Sequence, residues 1–549
     1  MKKHLLIPSV GVIALFNLFA HGQTGSNTIA QPTPPPMPEG QSPEAQPESI
    51  LGLAVMRLGD DQKELQPYRV KVGDKEYDFA HLLKLKPSDT DGATVQILVD
   101  FNFKHPGLLN DLKELDFIKQ KIAAGAEPWA TAFEAMKKSR YADVDYLKKM
   151  KVPPVVISCD FSGRNDHGSI QEMKDANAAY TQALMWYFTG DSTYAKNAAG
   201  ILETYAQTVT SHEGRNWYLE VAWAGDVFPL SAELLRSTYP DWKNSRVIGK
   251  WFNDVFLPPL HDRLAFGNRE FAVINAMAAI GIYNEDRAAF YLAMNHWMNY
   301  IPAYHYLSED GPAPYLADYW TPEITPSDDF LLKLNDPSFP KDWTPWIELH
   351  NQNWSDEKIH GKFGDDSTGM RKDVAARLSS WTGGPVTYLP GYCGETARDF
   401  GHVEVSFATE INAAEMAWHQ GIDVYTPQAK RLTTFMETQA KLRLGEPPPD
   451  SMTAKLVPYS LVGTWEIAYN HYANRMGMPL PNTLKIIEIL RQAGEGGIRL
   501  PKDAPHDPAN PRLWTFPPPF PSLFASGIGG SSGWISSWET LTHGDLDKH

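Results

Sequence analysis

The strongest constraint on this chain is a helical periodicity that sets in near His105 and runs, with one long interruption, to residue 493. Apolar residues recur at i, i+3, i+4 and i+7 over 108–124, 128–139, 169–189, 191–209, 217–238, 246–264, 268–283 and 285–299. The pattern returns over 395–420, 426–444, 461–476 and 483–493. Leu184, Tyr187 and Phe188 show the spacing within one such stretch. Short polar breaks such as "TGDSTY" and "YNEDRA" separate the stretches, so consecutive helices should pack as antiparallel pairs. Paired helices in series form either a solenoid or a closed α/α toroid, and the absence of a strict repeat period favours the toroid. The interruption, 305–394, is rich in Pro and Trp, and long irregular segments inside a compact domain are usually functional or act as lids.

The ends of the chain read differently. Lys2 and Lys3 precede the apolar run 5–20, and Ala20-His21-Gly22 offers small residues for cleavage, so 1–22 is expected to be a secretory signal. That run is short for a membrane span and no second one follows, which predicts a periplasmic or secreted protein without a membrane span. Residues 23–50, dominated by Pro, Gln, Ser and Thr, are expected to be a disordered linker. "YRVKV" and "TVQILVDF" predict a small β-rich segment over 51–104, before the helical domain at 105–498. The tail 499–549 reads as an extended wrap.

Composition narrows the partners. The formal charge is −16, or −18 once Lys2 and Lys3 are removed, which argues against nucleic acid but leaves room for a local cationic pocket. The 17 Trp, 23 Tyr and 24 Phe serve either a large helical core or the faces of a sugar-binding cleft. Cys159 and Cys393 are the only cysteines, which excludes a disulfide scaffold and leaves one bridge open. No phosphate-binding loop, nucleophile elbow or dinucleotide fingerprint is present, and His402-x-Glu404 lacks helical metal-ligand spacing. No metal or other cofactor is expected.

Five stretches carry candidate chemistry. In "GETARDFGHVEVSF" (394–407), one helix over 395–420 would place Glu395, Arg398, Asp399 and His402 on a single face. Arg398 would pair with Glu395, and Asp399 would orient His402 as a proton handler; the alternative is a solvated first turn with acids at the positive helix end. Asn268, just after Gly267 in "AFGNREF", is either an N-cap or a donor to a substrate carboxylate. Tyr304, His305 and Tyr306 precede a turn at Asp310-Gly311-Pro312, with Tyr315 just beyond; such tyrosines are packing residues or, near a cation, acids and bases. "TWEIAYNHYANR" (464–475) holds Asn470 and His471 in either a buried network or a polar site. Asn216 and Trp217 open the helix at 217–238, where Trp217 or Trp223 stacks on a sugar or packs in the core.

Taken together, these stretches resemble the alginate lyase superfamily of helical-toroid polysaccharide lyases. The resemblance rests on "HPGLLNDLKELDFIKQKIAAGAEPW", "YTQALMWYFTGDSTYAKNAAGILETYA", "LEVAWAGDVFPLSAELLR", "GNREFAVINAMAAIGIYNED", "PAYHYLSEDGP", "ETARDFGHVEVSFATEINAAEMAWHQGIDVY" and "TWEIAYNHYANRMGMPLPNT", in order over 105–490. It implies an all-α incomplete α/α toroid of roughly six or seven helical pairs with a small N-terminal β segment. It also implies β-elimination on an anionic polysaccharide, alginate or another polyuronate, by a lyase that needs no catalytic metal. Asn268 and Arg398 would neutralise the uronate carboxylate, His402 would act as base or second neutraliser, and Tyr306 or Tyr304 would handle the proton. Asn216, Trp217, Glu395, Asp399, Tyr315, Asn470 and His471 would contact or frame the substrate.

The chain departs from that resemblance at Val403-Glu404-Val405, where relatives commonly read Thr-Gln-Tyr, and Glu404 is expected to add negative charge beside the pocket. Two other readings stand beside it. A glycoside hydrolase on the same toroid would need a carboxylate pair drawn from Glu395, Asp399 and Asp310. A non-catalytic glycan-binding protein would need only the aromatic faces.

Overall fold

Short turns set the alternation of the helices. Ser169–Thr189 (α3) ends at the left-handed Gly190, and the Asp191 side chain accepts from Thr193 N–H to start Ser192–Thr208 (α4). In the same way Asn268–Asn284 (α7) stops at Glu285, and Asp286 caps Arg287–Tyr304 (α8) by accepting from Ala289 N–H. The computed structural model describes residues 103–159, 167–214, 217–261, 267–310, 389–396, 400–444, 446, 462–493 and 538–548. It also describes strand pieces between 57 and 97 and between 506 and 514. The expected signal (1–22), the linker (23–50) and most of the irregular segment lie outside these residues.

Between 51 and 104 the strands Val70–Val72 (β1), Lys75–Tyr77 (β2) and Val95–Ile97 (β3) form an antiparallel sheet with β1 central. Leu112–Ala123 (α1) opens the helical body with a reciprocal cap between Asp111 and Glu114, followed by Trp129–Lys138 (α2). Val156–Ser158 (β4) pairs in parallel with Ser211–Glu213 (β5), which leads into Trp217–Thr238 (α5). Ser245–Trp251 (α6) continues through a π-helical turn, Phe252–Phe256, to His261. After α7 and α8 come Phe400–His419 (α9), Tyr425–Arg443 (α10), Thr464–Tyr469 (α11) with its π-helical extension Asn470–Arg475, and Pro481–Ala493 (α12).

Helices α3, α5, α7, α9 and α11 form an inner ring, and α4, α6, α8, α10 and α12 pack outside it. A helix buried on all sides must be apolar nearly all round, and α5 meets this from Tyr218 to Leu235. Contacts between first turns show that the inner helices run parallel. His212, just before α5, lies 3.0 Å from Glu172 of the first turn of α3. Arg269, at the start of α7, sits over the ring of Tyr218 at the start of α5. Asn268 bonds Glu395 just ahead of α9, and Glu404 in α9 accepts from Val462 N–H and Trp465 Nε1 at the start of α11. The N-termini of all five inner helices therefore open on one mouth. The fold is the all-α toroid that the helical pairing predicted.

The ring is closed by the end of the chain. Within the tail expected to run extended, Glu539–His543 (α13) is helical and buried against α11, α2 and α1. Trp538 Nε1 donates to Thr181 Oγ1 of α3 at 2.8 Å, and Asn110 Nδ2 donates to the Thr542 carbonyl at 3.1 Å. Asn470 and Asp547 exchange two hydrogen bonds of 2.8 and 2.9 Å. At the end of the ring away from the mouth, His419 Nε2 lies 2.9 Å from Glu114 Oε2, and Arg475 joins Glu415 at 3.4 Å and Asp547 at 2.8 Å. Charged groups from α1, α9, α11 and the C-terminal segment thus meet in one network. No described helix is long and apolar enough to cross a membrane.

Burial alone would raise the Glu114 carboxyl, but the charge and hydrogen bond of His419, with His543 and Arg475, outweigh it and hold it at about 2. Burial would likewise lower His419, but Glu114 and Glu415 raise it to about 9. A raised histidine stabilises the fold fully below its ordinary value of 6.5 and loses that contribution as pH climbs through about 9. A depressed carboxylate contributes above its ordinary 4.5 and loses that as pH falls through about 2. The pair therefore contributes most between 4.5 and 6.5. Denaturant titration of His419→Ala should show a loss of about 3 kcal/mol near pH 6. That deficit should shrink towards pH 9; a deficit unchanged with pH would contradict the ionised pairing.

Candidate active site

The mouth is assembled from the C-terminal end of α8 and the chain that returns to α9. Residues 389–394 pair antiparallel with the end of α8: Tyr306 N–H donates to the Tyr392 carbonyl, Gly391 N–H to Tyr306, and Gly394 N–H to Tyr304. Gly391 has φ +83°, and a Cβ there would meet the Thr434 carbonyl at 2.6 Å, so only glycine lets this strand lie against α10. Glu395 follows in a turn, with Thr396 N–H donating to the Cys393 carbonyl, and α9 is described from Phe400. The single helix expected over 395–420 thus starts later, and Glu395 does not share a helical face with His402.

Glu395 instead faces α7. Its Oε2 accepts from Asn268 N–H at 2.9 Å, Tyr304 Oη at 2.8 Å and Ser406 Oγ at 2.9 Å, and its Oε1 accepts from Asn268 Nδ2 at 2.8 Å. The carboxylate sits at the positive end of α7, where the helix dipole and the first free N–H groups favour an anion. Asn268 is therefore not the N-cap; Gly267 holds that place with φ 61°, and its N–H meets Tyr300 Oη at 2.5 Å. Each donor in this nest is buried, so the acceptor they share cannot be lost cheaply.

Tyr304 is enclosed by Phe271, Tyr300 and His305. Burial first, then the nearby Cys393 and Glu395, push its phenol well above its ordinary value. The Glu395 carboxylate stands beside it, so Tyr304 is held protonated, donating to Glu395. Burial, with Asp310 adding to it, also raises Tyr306. His402 stands half-buried in the first turn of α9, one turn before Ser406, whose hydroxyl also donates to the His402 carbonyl at 3.0 Å.

Glu404 does not face the pocket. It is buried against Arg443 at 2.5 Å, and Arg443 lies over the rings of Phe400 and Trp465. Burial raises Glu404, with Arg443, Trp465 and Val462 opposing. The negative charge expected beside the site is thus turned into the core and paired. Asp310 is held bidentately by Arg431 at 2.6 Å and accepts from Leu307 N–H.

Of the other sequence candidates, Trp217 is half-buried at the mouth, while Trp223 is buried in the core. Asn470 and His471 lie at the far end of the ring. Asn470 staples the C-terminal segment, and His471 stacks on Tyr425 at 3.7 Å with Trp418 edge-on at 4.9 Å. They are not brought together with Asn268, Tyr304 and His402. Asn216, Tyr315, Arg398 and Asp399 lie outside the described residues. Cys159 and Cys393 are both buried and not joined by a disulfide, so the bridge left open does not form. Ser406 was missed by sequence reasoning; its place one turn after His402 on the same helix was the available signal.

No protein family model and no curated protein matches the chain. Among solved structures it is similar to a variant of alginate lyase A1-III complexed with tetrasaccharide, with 13% identity and a TM-score of 0.39 over 68% of this chain and 92% of that one. It is also similar to alginate lyase A1-III from Sphingomonas species A1, with 11% identity and a TM-score of 0.38 over 69% and 93%.

Removing the Glu395 side chain leaves several buried donors unsatisfied, so Glu395→Ala should cost about 3 kcal/mol in denaturant titration. Ser406→Ala, which removes one donor of several, should cost about 1 kcal/mol. Equal effects would contradict the central place of the carboxylate.

Proposed function

We propose that the protein is an exported polysaccharide lyase that cleaves alginate or a related polyuronate by β-elimination. The observation that carries this reading is the mouth itself: five inner-helix N-termini converge where Asn268, Tyr304 and His402 are linked through Glu395 and Ser406. The C5 proton of a uronate becomes acidic enough to remove only when its carboxylate charge is neutralised. Helix N-termini, the second Nδ2 hydrogen of Asn268 and Arg398 supply that neutralisation.

His402, half-buried and reachable from the mouth, is the base for the C5 proton. Tyr306, kept protonated by its raised phenol, gives a proton to the departing glycosidic oxygen. Tyr304 positions rather than reacts, because its hydroxyl is committed to Glu395. The electron pair left on C5 forms the new double bond as the C4–oxygen bond breaks. The chain's resemblance to polyuronate lyases over 105–490 supports the same chemistry.

The hydrolase reading fares worse. Two of its three acids, Glu395 and Asp310, are held by several donors each and have no open face for an attacking water.

Incubation with alginate, glucuronan and glycosaminoglycans should raise the ultraviolet absorbance of the conjugated unsaturated uronate on at least one of them. His402→Ala should reduce the rate by about 100-fold or more while leaving the denaturation midpoint close to wild type. A His402→Ala variant with full activity would remove this residue from the chemistry.

A further inference from the structure

Five of the arginines shielded from solvent in the described residues pair with a carboxylate: Arg236 with Glu233, Arg431 with Asp310, Arg443 with Glu404, Arg475 with Asp547 and Arg491 with Glu466. Arg269 is the exception. It is half-buried at the second position of α7, and no carboxylate among the described residues pairs with it. The nearest acids in sequence and on the facing helix are committed elsewhere. Glu270 is buried 3.2 Å from His296, and Glu220 of α5 accepts from Cys159 Sγ at 3.7 Å.

What Arg269 does meet is aromatic. Its guanidinium lies 5.9 Å from the centre of the Tyr218 ring, within cation–π range. Trp217 stands edge-on to Tyr218 at 6.5 Å and is itself half-buried at the rim. A guanidinium held against a ring keeps its fork of donors oriented, and it loses little freedom when it grips a planar anion. The neighbouring Asn268 N–H is already satisfied by Glu395, so the unanswered positive charge at this helix start belongs to Arg269. In a chain of net charge −16, a cation without a counter-ion among the described residues marks a place for an external one.

We propose that Arg269, Tyr218 and Trp217 form a second carboxylate-binding subsite, on the α5 side of the mouth. It holds the carboxylate of a uronate residue next to the one that reacts, with its sugar ring against Trp217. Successive residues of a helix point about 100° apart, so Asn268 faces Glu395 and α9 while Arg269 faces α5. The two positions serve adjacent sugars rather than one. This assignment rests on the polyuronate reading above, and it selects for polymers charged on consecutive residues.

The test is calorimetric titration of the full chain with acidic oligosaccharides, comparing wild type with Arg269→Gln and Arg269→Lys, beside steady-state kinetics. Arg269→Gln should weaken binding about tenfold or more and flatten its salt dependence, raising KM more than it lowers kcat. Arg269→Lys, which keeps the charge but not the fork, should fall between. Thermal denaturation checks that both variants fold. Unchanged Kd and KM in Arg269→Gln would overturn the subsite while leaving elimination intact. Arg269-dependent binding without any unsaturated product would keep the subsite and overturn the lyase reading. No binding of acidic oligosaccharides by wild type would overturn the subsite outright.

Discussion

A single buried carboxylate, that of Glu395, joins the parts of the mouth. It draws in the first residue of α7, the last of α8 and a hydroxyl from the first turns of α9. A carboxyl group at 0% exposure is tolerated only when its oxygens are met by donors, and here the backbone and side chain of Asn268 supply two of the four described. The same contact fixes three helices relative to one another and holds Tyr304 protonated. Position and protonation state are thus set by one interaction.

The parallel inner ring explains why the candidate residues of α7, α8 and α9 gather at one end. Each inner helix presents its N-terminus to the mouth, and each outer helix returns the chain to start the next. The positive ends of several helices then lie close together in a protein whose overall charge is strongly negative. The far end of the ring is built differently. There Glu114, His419, Glu415, Arg475 and Asp547 neutralise one another and bind the C-terminal segment to the end of α11. One end is electrostatically closed, and at the other Arg269 has no carboxylate partner among the described residues.

Much of this was legible in the sequence because periodicity and turn chemistry are local. The turns at Gly190-Asp191 and Glu285-Asp286 set helix ends, and the apolar spacing marked the inner helices. What was not legible depended on contacts across the fold. The role of Glu395 needed the knowledge that its turn meets α7, since i, i+3 and i+4 spacing pointed to Arg398 and Asp399 instead. Glu404 read as a charge near the pocket because its partner, Arg443, lies a full helix away in sequence. Asn470 and His471 looked like site residues for the same reason: Asn470 binds Asp547, distant in sequence, and His471 stacks on Tyr425 of α10.

The central claim is that the mouth breaks a glycosidic bond by elimination rather than by adding water. Mass analysis of the oligosaccharides released from a polyuronate in heavy-oxygen water tests it directly. Elimination predicts products with an unsaturated end and no heavy oxygen at the newly formed reducing ends. Incorporation of heavy oxygen there, or no release of oligosaccharides from any polyuronate, would contradict the account.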